Sequence, residues 1–390
     1  MKKVQKYTFT LITFLTIALG VQTASATEVE TVIAKDLGIW QGVMDGDPGE
    51  GGLFFRLEFE DNGSVTVIKQ YGGNNLSEVK TWSVSGDELK IVGSEDSKIN
   101  DFENASMVFS GKKTIAYQKG HKKFFINKFN RWGTALHWFG MLIILIALNE
   151  LFRRYKWPTI IFFFVLPIIL IPLWSSHGIS YWFKWVKLYS VVFAAAWFTL
   201  IRYTKLGNKN FAKFIAAAFL AVNIAEAVTQ DFSMGFWANV LNAIGGILSI
   251  ITLSGYKGIH ADNSKEKDMV WPAMTTFWII AYDIWNFVFV YLNFPGSAAN
   301  QFLVLLSCTI PSLFIKKGTW LQARAFTLAA WFMYYFTAPL FIESHLVPLP
   351  RNEWLMLGAG LLSFVANAAY GYVHFTRVYK KKKSEVKLAA

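Results

Sequence analysis

The sequence predicts an all-α polytopic membrane bundle of about nine transmembrane helices, preceded by a small all-β barrel or sandwich domain. Residues 27–127 are polar and contain short alternating runs that are typical of strands. From residue 129 onward, nine long apolar runs follow one another with short loops between them. The 390 residues are 54% hydrophobic and 17% aromatic, and this aromatic content exceeds that of an ordinary soluble domain.

The first segment, residues 1–26, has the features of a signal peptide. Three lysines precede an apolar stretch at 9–21, and the small residues at 24–26 form a cleavage site. We therefore expect the domain that follows to lie outside the cytoplasm, whether or not the segment is removed.

The β domain is expected at 27–127. The runs 53–60 and 64–71 alternate apolar and polar residues, and the Asp-Asn-Gly sequence at 61–63 between them is a hairpin signal. Further strands are predicted at 80–85, 88–92, 105–110, 114–118 and 123–127. Short antiparallel strands at this spacing favour a small barrel or a sandwich.

The helical domain is expected at 128–376, ahead of a basic cytoplasmic tail at 377–390. The apolar runs lie at 129–151, 157–174, 182–203, 211–229, 235–254, 269–293, 298–315, 320–342 and 353–376. Loops after the odd-numbered runs are rich in Lys and Arg, whereas loops after the even-numbered runs carry almost none apart from Arg351. Positive loops face the cytoplasm. We therefore predict a bacterial cytoplasmic (inner) membrane protein with its β domain outside and its C-terminus inside.

The charge and the cysteine count exclude several classes. The net charge of +12 does not indicate a nucleic-acid partner, because the basic residues are confined to short loops and the tail. Cys308 is the one cysteine, so no disulfide can form within the chain. The histidines are scattered, and neither a zinc motif nor a phosphate-binding glycine loop occurs, so we predict no metal and no cofactor.

Polar residues inside the apolar runs are candidates for a binding site, because polar groups are costly within a bilayer. Three runs carry polar pairs spaced three residues apart, which places both members on one helix face. The candidates are Asn223 with Glu226, Asn239 with Asn242, Asp283 with Asn286, and Lys187 as a counter-cation. The predicted orientation places them at a similar depth, and we therefore predict a polar cavity, open to the outside, that binds a small solute or ion.

The alternative interpretation is structural. Asparagines can join helices by hydrogen bonds, and Lys187 can brace the bundle by pairing with an acid. By the same reasoning, Glu150 is expected to pair with Arg153 or Arg154. Arg324 is interpreted as an anchor at the cytoplasmic interface.

Five segments of the helical part resemble an uncharacterised bacterial multi-pass membrane family, a domain of unknown function. The segments are 148–150 (LNE), 182–190 (WFKWVKLYS), 223–232 (NIAEAVTQDF), 269–286 (MVWPAMTTFWIIAYDIWN) and 308–320 (CTIPSLFIKKGTW). The resemblance implies a topology but no activity. The Gly-Ile-Trp sequence at 38–40, followed by strands, resembles the start of lipocalin-like domains.

Three functions are compatible with these features. The first is a transporter or channel-like protein, with the bilayer and a small solute or ion as its partners. The second is a membrane sensor or assembly factor, whose β domain binds an external ligand or protein. The third is an intramembrane enzyme that acts on a lipid-like substrate through Glu226 or Asp283, although no feature of the sequence requires catalysis.

Overall fold

The computed structural model describes residues 38–45, 52–72, 74–110, 113–120, 122–177, 179 and 182–389. The predicted signal peptide at 1–26 lies outside these residues. Two regions of different architecture follow, an N-terminal β-barrel and a C-terminal helical region.

Eight antiparallel strands form the barrel. They are β1 (Ile39–Asp45), β2 (Gly52–Phe59), β3 (Ser64–Tyr71), β4 (Asn74–Ser85), β5 (Glu88–Val92), β6 (Ser106–Phe109), β7 (Thr114–Lys119) and β8 (Lys122–Lys128). Each strand pairs with the next along the chain, and β8 pairs with β1 to close the barrel. The prediction of a barrel or sandwich is therefore confirmed as a closed barrel.

Strand β4 begins six residues earlier than the predicted run at 80–85. Its first half, 74–79, is rich in Asn and Ser and lacks a strong strand pattern. Pairing with β3 overrides this weak preference, since Asn74 lies opposite Tyr71 and Ser77 lies opposite Ile68.

Aromatic side chains fill the inside of the barrel. Trp40 and Phe55 are completely buried. The Phe55 ring lies 5.1 Å from Phe102 and 5.7 Å from Phe124, measured between ring centroids. A barrel filled in this way has a packed core.

Within the described residues, the helical region contains nine segments that overlap the predicted apolar runs. The first segment is α1 (Arg131–Arg154). The second is interrupted and consists of α2 (Lys156–Ile160), a π-helical turn (Ile161–Val165), α3 (Leu166–Ile169) and α4 (Ile171–Ser176). The other seven are α5 (Trp182–Tyr203), α6 (Asn210–Met234), α7 (Trp237–Ile251), α8 (Thr276–Asn293), α9 (Ala298–Phe314), α10 (Trp320–Thr337) with the short α11 (Pro339–Glu343), and α12 (Glu353–Ala389). Within the described residues, four helices are long and apolar enough to cross a membrane: α1, α5, α6 and the 353–384 part of α12. The count of nine spans stays a prediction.

Local chemistry explains where helices depart from the predicted runs. The run at 269–293 becomes helical only at Thr276, because Met269–Val270 forms a short hairpin with His260–Ala261. The Thr275 hydroxyl then accepts a hydrogen bond from the Trp278 amide and caps the helix. Pro339 ends the run at 320–342 as a single helix, since proline disfavours helical backbone at the residue before it.

The barrel contacts the end of the bundle where the loops between helices carry few charges. Gln41 of β1 donates to the Leu346 carbonyl at 2.8 Å, and Asn75 of β4 donates to the Arg351 carbonyl at 3.0 Å. Arg351 itself is buried and donates to the carbonyls of Leu292, at the end of α8, and of Gly72 in the barrel. Arg351, the exception among the weakly charged loops, is therefore a structural link between barrel and helices.

Burial lowers the pKa of the Arg351 guanidinium to about 10, partly offset by the nearby Tyr291 hydroxyl. The side chain therefore keeps its charge near neutral pH. Its position at the C-terminal end of α8 also places a positive charge where helix carbonyls point outward.

A buried ionic network holds the opposite end of the bundle together. Asp268 accepts hydrogen bonds from Arg153 at 2.9 Å and from Gln322 at 3.1 Å. Arg153 and Arg154 both pair with Glu150, as the sequence predicts. The network joins α1, α10 and the connection between α7 and α8.

Nearby, Asp262 and Lys316 form an ion pair at 2.6 Å. Burial alone would raise the pKa of Asp262, but hydrogen bonds from Lys316 and Ser264 outweigh burial and place it below its usual range. The connection that contains Asp262 is therefore held by a charged carboxylate.

Candidate functional site

A cavity of about 380 Å³ lies among helices α5, α6, α8 and α10. Its walls are mostly apolar and include Phe198, Phe219 and Leu328. Lys187 and Phe198 both line it from α5, and they are about three helical turns or about 16 Å apart along the helix axis. The cavity is therefore a long apolar slot that runs parallel to the helices.

The slot reaches the outer surface of the bundle between α5 and α6. Val186 and Val222, one on each helix, line it and are both exposed. Lys187 on α5 and Glu226 on α6 form an ion pair at 2.5 Å near the barrel end of the slot. This pair joins the two helices that border the opening.

Arg324 of α10 lines the deep side of the same cavity and is 95% buried, with 5% of its surface exposed. One terminal nitrogen, Nη2, donates to the Asn286 Oδ1 at 3.1 Å, and the Tyr282 hydroxyl also interacts with the guanidinium. Its Nε and Nη1 have no hydrogen-bond partner among the described residues. The sequence-based interpretation of Arg324 as an interface anchor is wrong, because packing against α8 draws the side chain into the bundle.

The structure brings together three of the seven candidate residues. Lys187, Asn223 and Glu226 line the cavity. Asn239, Asn242, Asp283 and Asn286 do not line it, so the single polar layer expected from the sequence is not found there. Residues at the same depth on neighbouring helices can point in different directions, because the rotation of each helix about its axis sets the direction of its side chains.

Asn239 and Asn242 of α7 instead surround Asp231, near the barrel end of α6. Asn239, Asn242 and Asn293 each donate to the Asp231 carboxylate, at 2.8, 2.7 and 2.6 Å. Asp231 is completely buried. This burial is not predictable from the sequence, because Asp231 lies in the last turn of α6 and side chains at helix ends are usually exposed.

Asp283 and Asn286 of α8 face α9. The Thr309 hydroxyl donates to Asp283 at 2.6 Å and accepts from the Trp320 indole at 2.9 Å. Asn286 accepts from Gln301 and from Arg324. These two residues therefore support the wall behind Arg324 rather than the cavity itself.

Metal chemistry finds no support in the described part of the chain. No group of three or more His, Cys, Asp or Glu side chains there has the spacing of a metal site. Cys308 is buried and donates to the Leu305 carbonyl within its own helix.

One protein family matches the helical region. The model of this family, described as "Family of unknown function (DUF5692)", matches residues 128–388. No curated protein matches the chain, and no solved structure does.

Proposed function

The chain belongs to the DUF5692 family of unknown function, and from this premise we propose that it is a multi-pass membrane protein that binds a lipid-like amphiphile. The ligand enters sideways between α5 and α6 and occupies the slot among α5, α6, α8 and α10. The barrel lies outside the cytoplasm and the basic tail lies inside.

Exposed tryptophans support the membrane setting. Trp132, Trp182, Trp237 and Trp354 are each the first or second residue of a helix and are 66–82% exposed. All four helices begin at the barrel end of the bundle. Tryptophan concentrates at the boundary between lipid and water, so these residues support a bilayer surface at the barrel end of the bundle.

The opposite end carries the complementary features. Trp157 and Phe314 are exposed there. Arg154 ends α1 and Lys156 begins α2 beside Trp157, and Lys317 lies in the loop after α9. Aromatic rings followed by basic residues are typical of a cytoplasmic interface. Helices shorter than a bilayer, such as α7, fit between these two belts when neighbours cover them or the bilayer thins locally.

We infer the class of ligand from the apolar slot and from the charged groups that line it. A volume of about 380 Å³ is in the range of small-molecule sites. Apolar walls favour a hydrocarbon chain, whereas Lys187, Glu226 and Arg324 favour a polar head group. A small polar solute or bare ion, the first expectation from the sequence, fits such walls poorly.

A second function, sensing at the barrel, is supported by Arg351. This residue joins the barrel to the end of α8, and α8 also contributes Tyr282 to the cavity wall. Ligand capture inside the barrel is less well supported, because aromatic side chains fill its core.

Photo-crosslinking tests the proposed function. The full chain is reconstituted in lipid nanodiscs with a long-chain fatty alcohol and a fatty acid that each carry a diazirine, and labelled peptides are mapped by mass spectrometry. We expect labels on the cavity faces of α5, α6 and α10, in addition to the general labelling of the outer surface.

Ala218→Trp fills the slot from α6 and should remove the cavity labels, because an indole occupies the space that the hydrocarbon chain needs. Ala225→Trp, at an exposed position of the same helix, is the matched control and should leave them unchanged. Labels confined to the outer surface in the unmodified chain would show that the proposal is wrong.

A further inference from the structure

We propose that the head group of the bound molecule is an anion, a carboxylate or a phosphate, and that Arg324 is the residue that binds it. This inference rests on the proposed function and adds the chemical class of the ligand. The proposal stands on the burial of Arg324, on its unpartnered nitrogens and on the charge balance of the cavity.

A buried guanidinium with unpartnered N–H groups is costly. Arginine stays protonated, and a buried charge without full hydrogen bonding costs several kcal/mol unless a partner compensates it. Arg324 is 95% buried, yet Nε and Nη1 have no partner among the described residues. Nε and Nη1 each form a donor fork with Nη2 and not with each other, and Nη2 already gives one of its two N–H groups to Asn286. The remaining N–H groups can donate to the oxygens of a carboxylate or phosphate.

The charges that line the cavity leave an excess of one positive charge. Lys187 and Arg324 are cations, and Glu226 is the anion among the cavity-lining residues. Glu226 is already paired with Lys187 at 2.5 Å. An anionic head group would therefore neutralise the cavity, whereas a cationic one would add to the repulsion.

Asp283 is the acid on a neighbouring helix that could compensate Arg324 from outside the cavity. Its Oδ2 accepts from Thr309 at 2.6 Å, and its attraction to Arg324 acts without a hydrogen bond between the two. Asp283 therefore lowers the cost of burying Arg324 but does not hydrogen-bond to Nε or Nη1.

Competition against the diazirine fatty alcohol tests the inference, because that probe has no charge. The competitors share one hydrocarbon chain and differ in the head group: dodecanoate, dodecyl phosphate, dodecanol and dodecyltrimethylammonium. We expect the two anions to displace the cavity label at concentrations about 10- to 100-fold lower than the other two, as a charge-assisted hydrogen bond predicts. Acetate and inorganic phosphate, which lack the chain, should not displace it.

Arg324→Gln should remove the preference for anions and leave dodecanol competition unchanged. Arg324→Lys keeps the charge without the fork and should retain part of the preference, so a folding defect in the first variant does not end the test. Arg154→Gln, which removes an exposed arginine at the end of α1, should behave as the unmodified chain.

The outcomes separate the two proposals. Equal competition by all four head groups, or an anion preference that persists in Arg324→Gln, overturns the anion site and leaves amphiphile binding in place. Displacement by acetate or inorganic phosphate at the same concentrations assigns the site to free anions and overturns it as well. Absence of any cavity label overturns the proposed function itself.

Discussion

Asp231 is a buried carboxylate whose three side-chain partners are asparagines on α7 and α8. Each donates through its amide nitrogen, so both carboxylate oxygens are hydrogen-bonded although no Lys or Arg among the described residues pairs with them. The arrangement fixes the turn between α6 and α7 against the end of α8. Such a cluster is a structural joint, because every polar atom that the carboxylate offers is occupied by the protein.

Removal of this carboxylate is therefore expected to destabilise the bundle. Asp231→Ala removes the shared acceptor of three buried carboxamides, although Asn293 still donates to the Phe289 carbonyl and Asn239 to Asn293. The free energy of unfolding should fall by about 3 kcal/mol. The apparent melting temperature in nanodiscs measures the effect. Asp96→Ala removes an exposed acid from the barrel and serves as the control; equal melting of both variants would contradict this role.

The sequence indicated residue types at this scale better than residue partners. The spacing of Asn239 and Asn242 correctly placed them on one helix face, because that follows from helix geometry alone. Their partner Asp231, and the burial of Arg324, depend on the rotation of each helix about its axis. Rotation is set by packing against neighbours, which the spacing of polar residues does not determine.

Close helix contacts are the main feature at the element scale. The paired glycines Gly245 and Gly246 of α7 predict such a contact, and a β-carbon at Gly246 would lie 2.7 Å from the Trp285 indole nitrogen. Gly360 of α12 forms a closer one, since a β-carbon there would lie 2.4 Å from the Ala238 carbonyl oxygen. Gly360 carries no signal in the sequence, because its importance depends on which helix crosses it.

Two glycines of α12 provide a matched test of this contact. Gly360→Ala should lower the free energy of unfolding by about 1–3 kcal/mol, because the backbone of α7 cannot move aside without loss of packing. Gly358→Ala meets nothing within 4 Å and should be neutral or stabilise the helix by up to about 1 kcal/mol. Thermal unfolding of both variants in nanodiscs decides the question, and similar shifts in both would contradict the close contact.

At the scale of the whole molecule, the order of barrel and helices was predictable because it depends on local patterns. The alternation of apolar and polar residues predicted most strands, and the length of the apolar runs predicted most helices. The barrel also contacts the end of the bundle where the loops carry few charges, and the orientation across a membrane stays a prediction. The contact between Arg351 and the barrel was not predictable, because the sequence shows Arg351 only as a basic residue in a loop of otherwise low charge.

Arg351→Ala should loosen the barrel from the bundle. The substitution removes the donor shared by the carbonyls of Gly72 and Leu292, and each buried acceptor left without a donor costs about 1–3 kcal/mol. We expect faster amide hydrogen exchange in the connection between β3 and β4, measured by mass spectrometry. Arg131→Ala removes an exposed arginine close to the barrel and should not change the exchange; unchanged exchange in Arg351→Ala would rule out the link.

Only Phe129 and Asn130 separate the last strand of the barrel from the first helix. The Phe129 amide still donates to Ile39 of the barrel at 2.8 Å, and the Asn130 side chain already accepts from Gly133 of α1 at 3.1 Å. The short, hydrogen-bonded connection therefore restricts movement of the barrel relative to α1. A displacement of the barrel would be transmitted directly to α1.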